Sequence, residues 1–312
     1  MLRIVIDADN PEPDKLAQAG EIIRRGGLVA FPTETVYGLG ADALNEEAVA
    51  RIYKVKGRPS DNPLIRHANR AEDFYKHVIF CDTAHRLADT FWPGSLTLVL
   101  NKADGTGTLA VRVPQHNIAR GLIEASGCII AAPSANLSGR PSPTKAEHVA
   151  EDFPNGEIDM LIDGGAASKG LESTVVDLHT HVPRLLRPGA VSLEMLKDAI
   201  GEIDCPTQDM SGEAPLSPGM KYRHYAPKAP LTLLIGTPDA VSDAVKNHAG
   251  NTGVIRTHNI EAETTARTLF DKLRQFDRDG VSRIIVEGVS EAGIGLAIMN
   301  RLKKAAAEVI YL

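Results

Sequence analysis

Apolar residues in the first 200 positions follow two recurring patterns. Leu16, Ala19 and Ile23 lie on one helical face, and Gly26-Gly27 ends this predicted helix. The short apolar run at 28–31 follows and predicts a buried strand. The same patterns predict strands over 1–7, 96–100, 109–113, 128–132, 160–162 and 174–178, and helices after Asn45 and over 82–90, 117–125, 144–152 and 192–200. This alternation predicts an α/β fold.

Residues 231–312 alternate more regularly. Strands are expected over 231–235, 253–256 and 283–286, and helices over 238–248, 261–279 and 295–307. Such alternation predicts right-handed crossovers and a small parallel sheet. The loop after the first of these strands reads Gly236-Thr-Pro-Asp239 instead of the phosphate-binding GxGxxG, so we interpret this part as an accessory domain.

The connector between the two halves has little regular pattern but an unusual composition. Between prolines, its segment 217–227 carries two tyrosines, a histidine, Lys221 and Arg223, unlike a flexible Gly/Ser linker. We therefore predict that it folds over an anionic ligand, with a plain structural strap as the alternative. The expected organisation is a catalytic domain over 1–201, an ordered connector over 202–230 and an accessory domain over 231–312.

Composition narrows the class of protein further. A hydrophobic fraction of 43% with 24% charged residues excludes a disordered chain, a coiled coil and a collagen-like repeat. No apolar run approaches the roughly 18 residues of a membrane span, and no secretory signal begins the sequence. Cys81, Cys128 and Cys205 are scattered, which predicts reduced thiols, a cytoplasmic location and no zinc site. The net charge of −6 argues against general nucleic-acid binding but leaves a local basic patch open.

Two motifs place candidate ligand-binding groups after predicted helices and strands. Thr33, Glu34 and Thr35 follow the strand at 28–31, where open α/β sheets often bind ligands; a turn satisfied by its own hydroxyls is the alternative. Lys56 and Arg58 would point to the same side in extended backbone and surround a polyphosphate. The alternative is a solvated basic surface, but the interleaved glycine and prolines favour a binding loop.

Further polar groups interrupt or follow other predicted strands. Arg112 lies in an apolar strand and must find an anion there or lie at an edge. The segment 131–144 collects small hydroxyl and amide groups before a helix expected near Thr144, whose backbone N–H groups suit phosphate. The sequence contains no GxSxG, Walker A or kinase motif. The polar and basic groups of these motifs therefore predict a basic, hydroxyl-rich pocket suited to nucleotidyl or phosphoryl transfer.

Six segments, in their order along the chain, resemble the threonylcarbamoyl-AMP synthase family with its YrdC-like catalytic domain. They are Pro-Thr-Glu-Thr-Val-Tyr-Gly-Leu at 32–39, Lys56-Gly-Arg58, Asn62-Pro-Leu-Ile, Pro133-Ser-Ala-Asn136, Glu172-Ser-Thr-Val-Val-Asp177 and Arg187-Pro-Gly189. The connector and the C-terminal half resemble the long, two-domain form. The resemblance implies a catalytic domain with a twisted mixed sheet flanked by helices, and a small Rossmann-like parallel α/β domain.

The resemblance also implies a reaction and its participants. Family members make threonylcarbamoyl-AMP and pyrophosphate from L-threonine, bicarbonate or carbon dioxide, and ATP, with Mg²⁺ bridging phosphate oxygens. Such an enzyme is a nucleotidyltransferase of tRNA processing, and downstream transfer proteins pass the threonylcarbamoyl group to tRNA. Its pocket aligns three reactants and neutralises polyphosphate charge without a protein nucleophile.

The family's site residues carry over to this sequence by motif. The L-threonine site is expected to contain Thr35, His67, Arg112, the backbone near Ala132, and Ser173. The ATP site is expected to contain Lys56, Arg58, Asn62, Thr108, Ser134, Ser142, Arg187 and, from the connector, Tyr225. Lys56 and Arg58 are also the expected catalytic residues, and no residue is expected to ligate a metal directly.

Two other functions are weighed against this interpretation. YrdC-like domains have a concave basic face, so a double-stranded RNA-binding module is one alternative, although the net charge of −6 opposes it. The other is the YrdC-like part of hydrogenase-maturation carbamoyltransferases. Those proteins carry zinc-finger-type and acylphosphatase-like regions, and three scattered cysteines do not provide the former pattern.

Overall fold

The computed structural model describes residues 1–205, 224–246 and 250–312, and these residues form two β-sheets. The larger sheet has ten strands, whose order across the sheet is β1-β8-β2-β3-β7-β4-β6-β5-β9-β10. Its strands are β1 (Leu2–Val5), β2 (Val29–Phe31), β3 (Gly38–Asp42), β4 (Ile65–His67), β5 (Leu96–Asn101), β6 (Thr108–Arg112), β7 (Ile130–Ala131), β8 (Met160–Asp163), β9 (Thr174–Asp177) and β10 (Arg184–Arg187). Parallel pairs such as β4 with β6 lie beside antiparallel pairs such as β5 with β6, so the sheet is mixed as expected.

Helices cover both faces of the first half of this sheet. In the described residues the α-helices are α1 (Pro13–Arg24), α2 (Glu46–Lys56), α3 (Asp82–Phe91), α4 (Asn117–Ser126), α5 (Ala146–Asp152), α6 (Leu193–Ile200), α7 (Pro238–Lys246), α8 (Ala262–Asp279) and α9 (Gly295–Ala305). Alternate residues of β2 face opposite sides: Val29 and Phe31 pack in the core with α1 and α4, and Ala30 in the core with α2 and α5.

The second half of the large sheet carries a smaller apolar cluster on one face. Ile65, Val99, Ala110 and Val175, from four neighbouring strands, form this cluster, which we call the sheet floor. The opposite face packs in a larger core with α3 and α6. Polar side chains that share this face of the strands, or that stand in the loops after them, therefore lie above the sheet floor.

The smaller sheet lies in the C-terminal part and is entirely parallel. Its strands, in the order β12-β13-β11-β14, are β11 (Leu231–Ile235), β12 (Thr252–Ile255), β13 (Arg283–Glu287) and β14 (Glu308–Tyr311). Helices α8 and α9 pack on one face and α7 on the other. This confirms the predicted parallel α/β arrangement of the C-terminal half.

Local sequence explains several element boundaries. The Asn45 side chain accepts a hydrogen bond from Ala48 N at 3.1 Å and begins α2, while Gly57, with φ of 60°, ends it. Ser192 caps α6 as predicted, accepting from Met195 N at 3.2 Å. The helix expected from 144 begins at Ala146, and the last predicted helix ends at Ala305 because the chain then enters β14. The end of the helix predicted over 238–248 lies outside the described residues.

The hydrophobic pattern misses β3, β4, β10 and β14. Strand β3 begins Gly-Leu-Gly, a composition that normally weakens a strand prediction. Gly40 has a packing reason: a Cβ there would lie 2.7 Å from Phe31 Cε1 and 2.8 Å from Ile130 Cγ2. Glycine is therefore selected here by close packing, which the sequence pattern does not reveal.

No helix in the described part of the chain combines the length and apolar character needed to cross a membrane.

Candidate active site

A cleft above the sheet floor brings together all but two of the predicted site residues. Those that line it are Thr35, Lys56, Arg58, His67, Arg112, Ala132, Ser134, Ser142, Ser173, Arg187 and Tyr225. They come from strand ends, from loops, from the end of α2 and from the connector, so segments up to 190 residues apart in sequence meet at one place. The cleft is rich in hydroxyl and basic groups, as the motifs predict.

The other two predicted residues, Asn62 and Thr108, lie outside the lining. Asn62 is buried, and its backbone and side-chain oxygens accept hydrogen bonds from Arg58 Nε at 3.0 Å and Nη2 at 2.6 Å. Thr108 begins β6, on the same face as Ala110 and Arg112. Asn62 thus positions a cleft residue, whereas Thr108 lies at the far end of the strand that carries Arg112 to the cleft.

Lys56 reaches the cleft from the end of α2 and not from extended backbone. The expectation of an extended Lys56–Arg58 segment is wrong, because the helix continues through Lys56 and turns sharply at the left-handed Gly57. The Lys56 ammonium donates to the carbonyl oxygens of Ser134, at 2.6 Å, and Asn136. Burial holds its pKa well below the usual value, and the nearby Arg58 acts in the same direction.

Arg58 supplies a second buried cation. Besides its two bonds to Asn62, its Nη2 donates to Pro63 O at 2.9 Å, so the guanidinium closes the 58–63 loop around itself. Burial lowers its pKa to about 10, which still leaves the group charged at neutral pH. A fixed, charged and partly desolvated guanidinium is suited to binding phosphate oxygens.

The loop over 133–142 forms one wall of the cleft. Ser134 Oγ donates to Asn136 Oδ1 at 2.5 Å, and the Lys56 ammonium holds the loop backbone at the same two residues. The expected helix N-terminus does not reach the cleft. Helix α5 begins at Ala146, whereas the last residue of this loop that lines the cleft is Ser142. The N–H of Thr144 is bound instead by His148 Nδ1 at 3.2 Å.

Arg112 organises the other end of the cleft. Its Nη2 lies 2.5 Å from Glu34 Oε1, its Nη1 donates to Thr35 Oγ1 at 3.1 Å, and its Nε donates to Gly94 O at 3.0 Å. The anion expected for this buried arginine is therefore Glu34. Although burial opposes it, Arg112 holds the pKa of Glu34 below its usual value. These contacts leave one N–H on each terminal nitrogen of Arg112, which matches a second carboxylate.

Ser173 and Arg187 connect the two ends. Ser173 Oγ lies 2.8 Å from Thr97 Oγ1 and accepts from Arg187 Nη2 at 3.1 Å, while Arg187 Nε donates to Ser173 O at 3.0 Å. Arg187 also hydrogen-bonds the Tyr225 side chain. A single guanidinium thus fixes both a hydroxyl at the Arg112 end and the aromatic residue that the connector contributes.

The described part of the connector contributes to the cleft lining. His224 and Tyr225 line the cleft, and Tyr225, with φ of 66°, stacks on Phe270 of α8 at a centroid distance of 5.5 Å. Ala226 N donates to Gly139 O at 2.9 Å, which attaches the segment to the opposite wall. The rest of the predicted 217–227 motif, with Lys221 and Arg223, lies outside the described residues.

Glu172 is a buried carboxylate at the edge of the cleft. One of its oxygens accepts a hydrogen bond from Ser142 Oγ, and the other accepts from Arg301 Nε at 2.9 Å. Although burial opposes it, Arg301 and Arg187 hold the pKa of Glu172 below its usual value. Both oxygens are thus already engaged, and the described residues contain no group of three or more metal-ligating side chains. The cleft side chains do not fit a magnesium site of their own.

Sequence reasoning named Glu34 as a candidate group without giving it a role, and it did not assign Glu172 or Arg301 to the site. Glu34 and Glu172 stand inside the recognised motifs, but a motif does not indicate which distant basic residue pairs with its carboxylate. Arg301 lies on a helix predicted to be accessory, and its contact with Glu172 joins residues 129 positions apart. No local pattern indicates such a contact.

Buried histidines predict a specific loss of stability in mild acid. Burial lowers the pKa of His67 to about 3 and that of His148 and His224 to about 4. Below about pH 6.5 the unfolded chain binds protons at these histidines, whereas the folded chain does not. Each histidine therefore lowers the unfolding free energy by up to about 1.4 kcal/mol for every pH unit below about 6.5. Urea denaturation at pH 7.0 and 5.5 measures the effect.

The variant His67→Gln is the control for this pH dependence, because it keeps a neutral polar side chain. Between the two pH values, its unfolding free energy should fall by about 1.3 kcal/mol less than that of the wild type. The buried carboxylates have lowered pKa values, so their contribution is lost only below about pH 4.5. An equal decrease in both proteins would contradict the assignment of a neutral, buried His67.

Comparisons with known proteins agree with this fold. Residues 21–189 match the family model described as Sua5_yciO_yrdC, "Telomere recombination", and residues 191–307 match "Threonylcarbamoyl-AMP synthase, C-terminal domain". The threonylcarbamoyl-AMP synthase of Pyrococcus abyssi is 48% identical over 93% of this chain and 94% of its own length. That of Bacillus subtilis is 44% identical over 97% of this chain and 96% of its own length.

A solved structure extends the similarity to the whole fold. The crystal structure of P. abyssi Sua5 complexed with L-threonine has a TM-score of 0.95 and 46% sequence identity, and the match covers 100% of both chains. The fold is that of a two-part α/β enzyme, and its cleft is lined by hydroxyl and basic groups. The chain belongs to the threonylcarbamoyl-AMP synthase family.

Proposed function

We propose that this chain is an L-threonylcarbamoyladenylate synthase, a nucleotidyltransferase that joins L-threonine, bicarbonate or carbon dioxide, and the AMP part of ATP. The observation that carries the proposal is the two-ended cleft. One end presents Arg112 with two N–H groups that its protein partners leave available, and the other presents the cations Lys56 and Arg58. An amino-acid carboxylate fits the first end, and a polyphosphate fits the second.

The proposed chemistry needs no protein nucleophile. The neutral amine of threonine adds to the carbon of carbon dioxide and loses a proton, which gives a carbamate; when bicarbonate is the source, one water leaves. A carbamate oxygen then attacks the α-phosphorus of ATP, the bond from that phosphorus to the bridging oxygen breaks, and pyrophosphate leaves. The cleft contributes by aligning the reactants and by compensating charge as it moves to the leaving group.

The threonine end is proposed to be built around Arg112. Its available N–H groups would bind the threonine carboxylate, and the hydroxyls of Thr35 and Ser173 would bind the polar side of the substrate. His67 stays neutral because burial lowers its pKa to about 3, so it adds no further positive charge beside the incoming amine. The backbone near Ala132 closes this end, as the family motif implies.

The ATP end is proposed to contain the basic residues and the loop over 133–142. Arg58 and Lys56 would neutralise the phosphates, Arg187 would connect the two ends, and Tyr225 would contact the nucleotide from the connector. Asn62 would act through Arg58, whose guanidinium it holds. Thr108 remains a prediction from the family motif.

The remaining parts of the proposal concern partners and organisation. We place the catalytic domain at 1–201, the connector at 202–230 and the accessory domain at 231–312, with the connector closing over bound ATP and controlling product release. Magnesium would arrive with ATP as its counter-ion, and no step is assigned to it. We further propose that the product passes to proteins that transfer the threonylcarbamoyl group to tRNA. We also propose weak RNA binding at a local basic patch and a cytoplasmic location.

Pyrophosphate release tests the proposed function. The purified chain is incubated with ATP, Mg²⁺, bicarbonate and L-threonine, and each component is omitted in turn. We expect release only with the complete mixture. Release with threonine and ATP alone, in carbon-dioxide-free buffer, would instead indicate simple amino-acid adenylation, and no release from folded protein would contradict the proposal.

A further inference from the structure

The C-terminal helix α9 places a fully buried arginine against the cleft. Arg301 has a relative exposure of 0% and is the largest fully buried side chain among the described residues. Its Nε donates to Glu172 Oε2 at 2.9 Å, and its Nη1 donates to Pro188 O at 2.9 Å. Burying a guanidinium is costly unless it is paired, so this contact between the two parts of the chain needs an explanation.

Glu172 transmits the contact to the cleft. Its second oxygen accepts from Ser142 Oγ, and Ser142 and Glu172 both line the cleft. Without Arg301, the buried Glu172 carboxylate would lose its hydrogen-bonded cation, and of the two arginines that lower its pKa only Arg187 would remain. The carboxylate charge would repel an anionic ligand, and the Ser142 hydroxyl would lose its fixed orientation.

The same guanidinium also supports the connector residue of the cleft. The Arg301 Cζ atom lies 5.4 Å from the centroid of the Tyr225 ring, and Phe270 of α8 stacks on that ring. Tyr225 thus rests on two side chains of the C-terminal part while it lines the cleft. Arg301 therefore contacts both Glu172 and Tyr225.

We propose that Arg301 is a positioning residue through which the C-terminal part completes the nucleotide end of the cleft. It acts by neutralising Glu172 and by supporting Tyr225, and it does not touch the substrate itself. The inference rests on the proposed function, because it takes the anionic ligand of this end to be ATP. It assigns the C-terminal part a direct role in nucleotide affinity.

The test compares the binding of ATP and of L-threonine to single variants by calorimetry. We expect Arg301→Met to weaken ATP binding by about tenfold or more, since a charged hydrogen-bond partner is lost, while threonine binding changes less than about twofold. Arg301→Lys keeps the charge but loses the planar fork, so its ATP affinity should lie between those of Arg301→Met and the wild type. Lys303→Met, which removes an exposed cation of the same helix, should bind ATP as the wild type does.

A double variant separates positioning from simple structural support. Arg301→Met with Glu172→Gln removes both charges, so it should recover ATP affinity relative to Arg301→Met alone. Equal weakening for ATP and threonine in every Arg301 variant, or unchanged ATP affinity in folded Arg301→Met, would overturn the inference while leaving the proposed function intact. A wild-type chain that binds threonine but no ATP would overturn the proposed function and this inference with it.

Discussion

Replacing Arg58 with alanine is expected to lower kcat/KM for ATP by about 10²–10³, because the cleft loses a fixed cation where phosphate charge must be neutralised. The guanidinium is buried and stays charged at neutral pH, with its pKa lowered to about 10. Its bonds to Asn62 and Pro63 also order the 58–63 loop, so the substitution removes both charge and loop order. Initial rates of pyrophosphate release at varied ATP concentration measure the effect.

Two further variants make the Arg58 result specific. Arg58→Lys keeps a positive charge but not the fork that binds Asn62, so its activity should lie between those of the alanine variant and the wild type. Arg66→Ala changes a half-buried arginine of β4 outside the cleft lining, and its kcat/KM for ATP should stay within about threefold of wild type. Wild-type kinetics in folded Arg58→Ala would remove Arg58 from the catalytic machinery.

Replacing Arg112 with methionine is expected to destabilise the fold and to abolish threonine binding. The Arg112–Glu34 pair is buried on both sides, with side-chain exposures of 4% and 5%. Breaking a buried pair by removing one partner costs about 3–5 kcal/mol, because the other charge is left uncompensated. Urea denaturation and threonine titration measure the two losses separately.

The double variant Arg112→Met with Glu34→Gln distinguishes stability from binding. Removing both charges should restore most of the lost unfolding free energy, since replacing a whole buried pair is often close to neutral. Threonine binding should stay lost, because the carboxylate still lacks its guanidinium partner. Recovery of threonine affinity together with stability would show that Arg112 serves the fold and not the substrate.

The sequence predicts the location of the cleft well because its chemistry lies in short, local motifs. The Thr35 and Arg112 motifs follow or end buried strands of one sheet, which is where open α/β sheets often bind ligands. The pattern of apolar and polar residues correctly predicts β5, β6 and β9, which contribute Val99, Ala110 and Val175 to the sheet floor. Local pattern and tertiary position agree in these elements.

The parts that sequence reasoning misses depend on contacts between distant residues. The close packing of Gly40 against Phe31 and Ile130 decides β3, and neither neighbour is indicated by the glycine itself. The helical position of Lys56 follows from where α2 ends, which a two-residue spacing does not determine. Arg301 lies in a domain predicted to be accessory, and only the packing of α9 against the large unit places it beside Glu172.

The most direct test of the central claim is the identity of the product. The chain is incubated with ¹⁴C-bicarbonate, L-threonine, ATP and Mg²⁺, quenched rapidly, and analysed for an adduct by chromatography and mass spectrometry. The proposed function predicts one labelled species that contains threonine, the bicarbonate carbon and AMP, formed in step with pyrophosphate. A threonine–AMP species without the label, or no AMP adduct at all from folded protein, would contradict it.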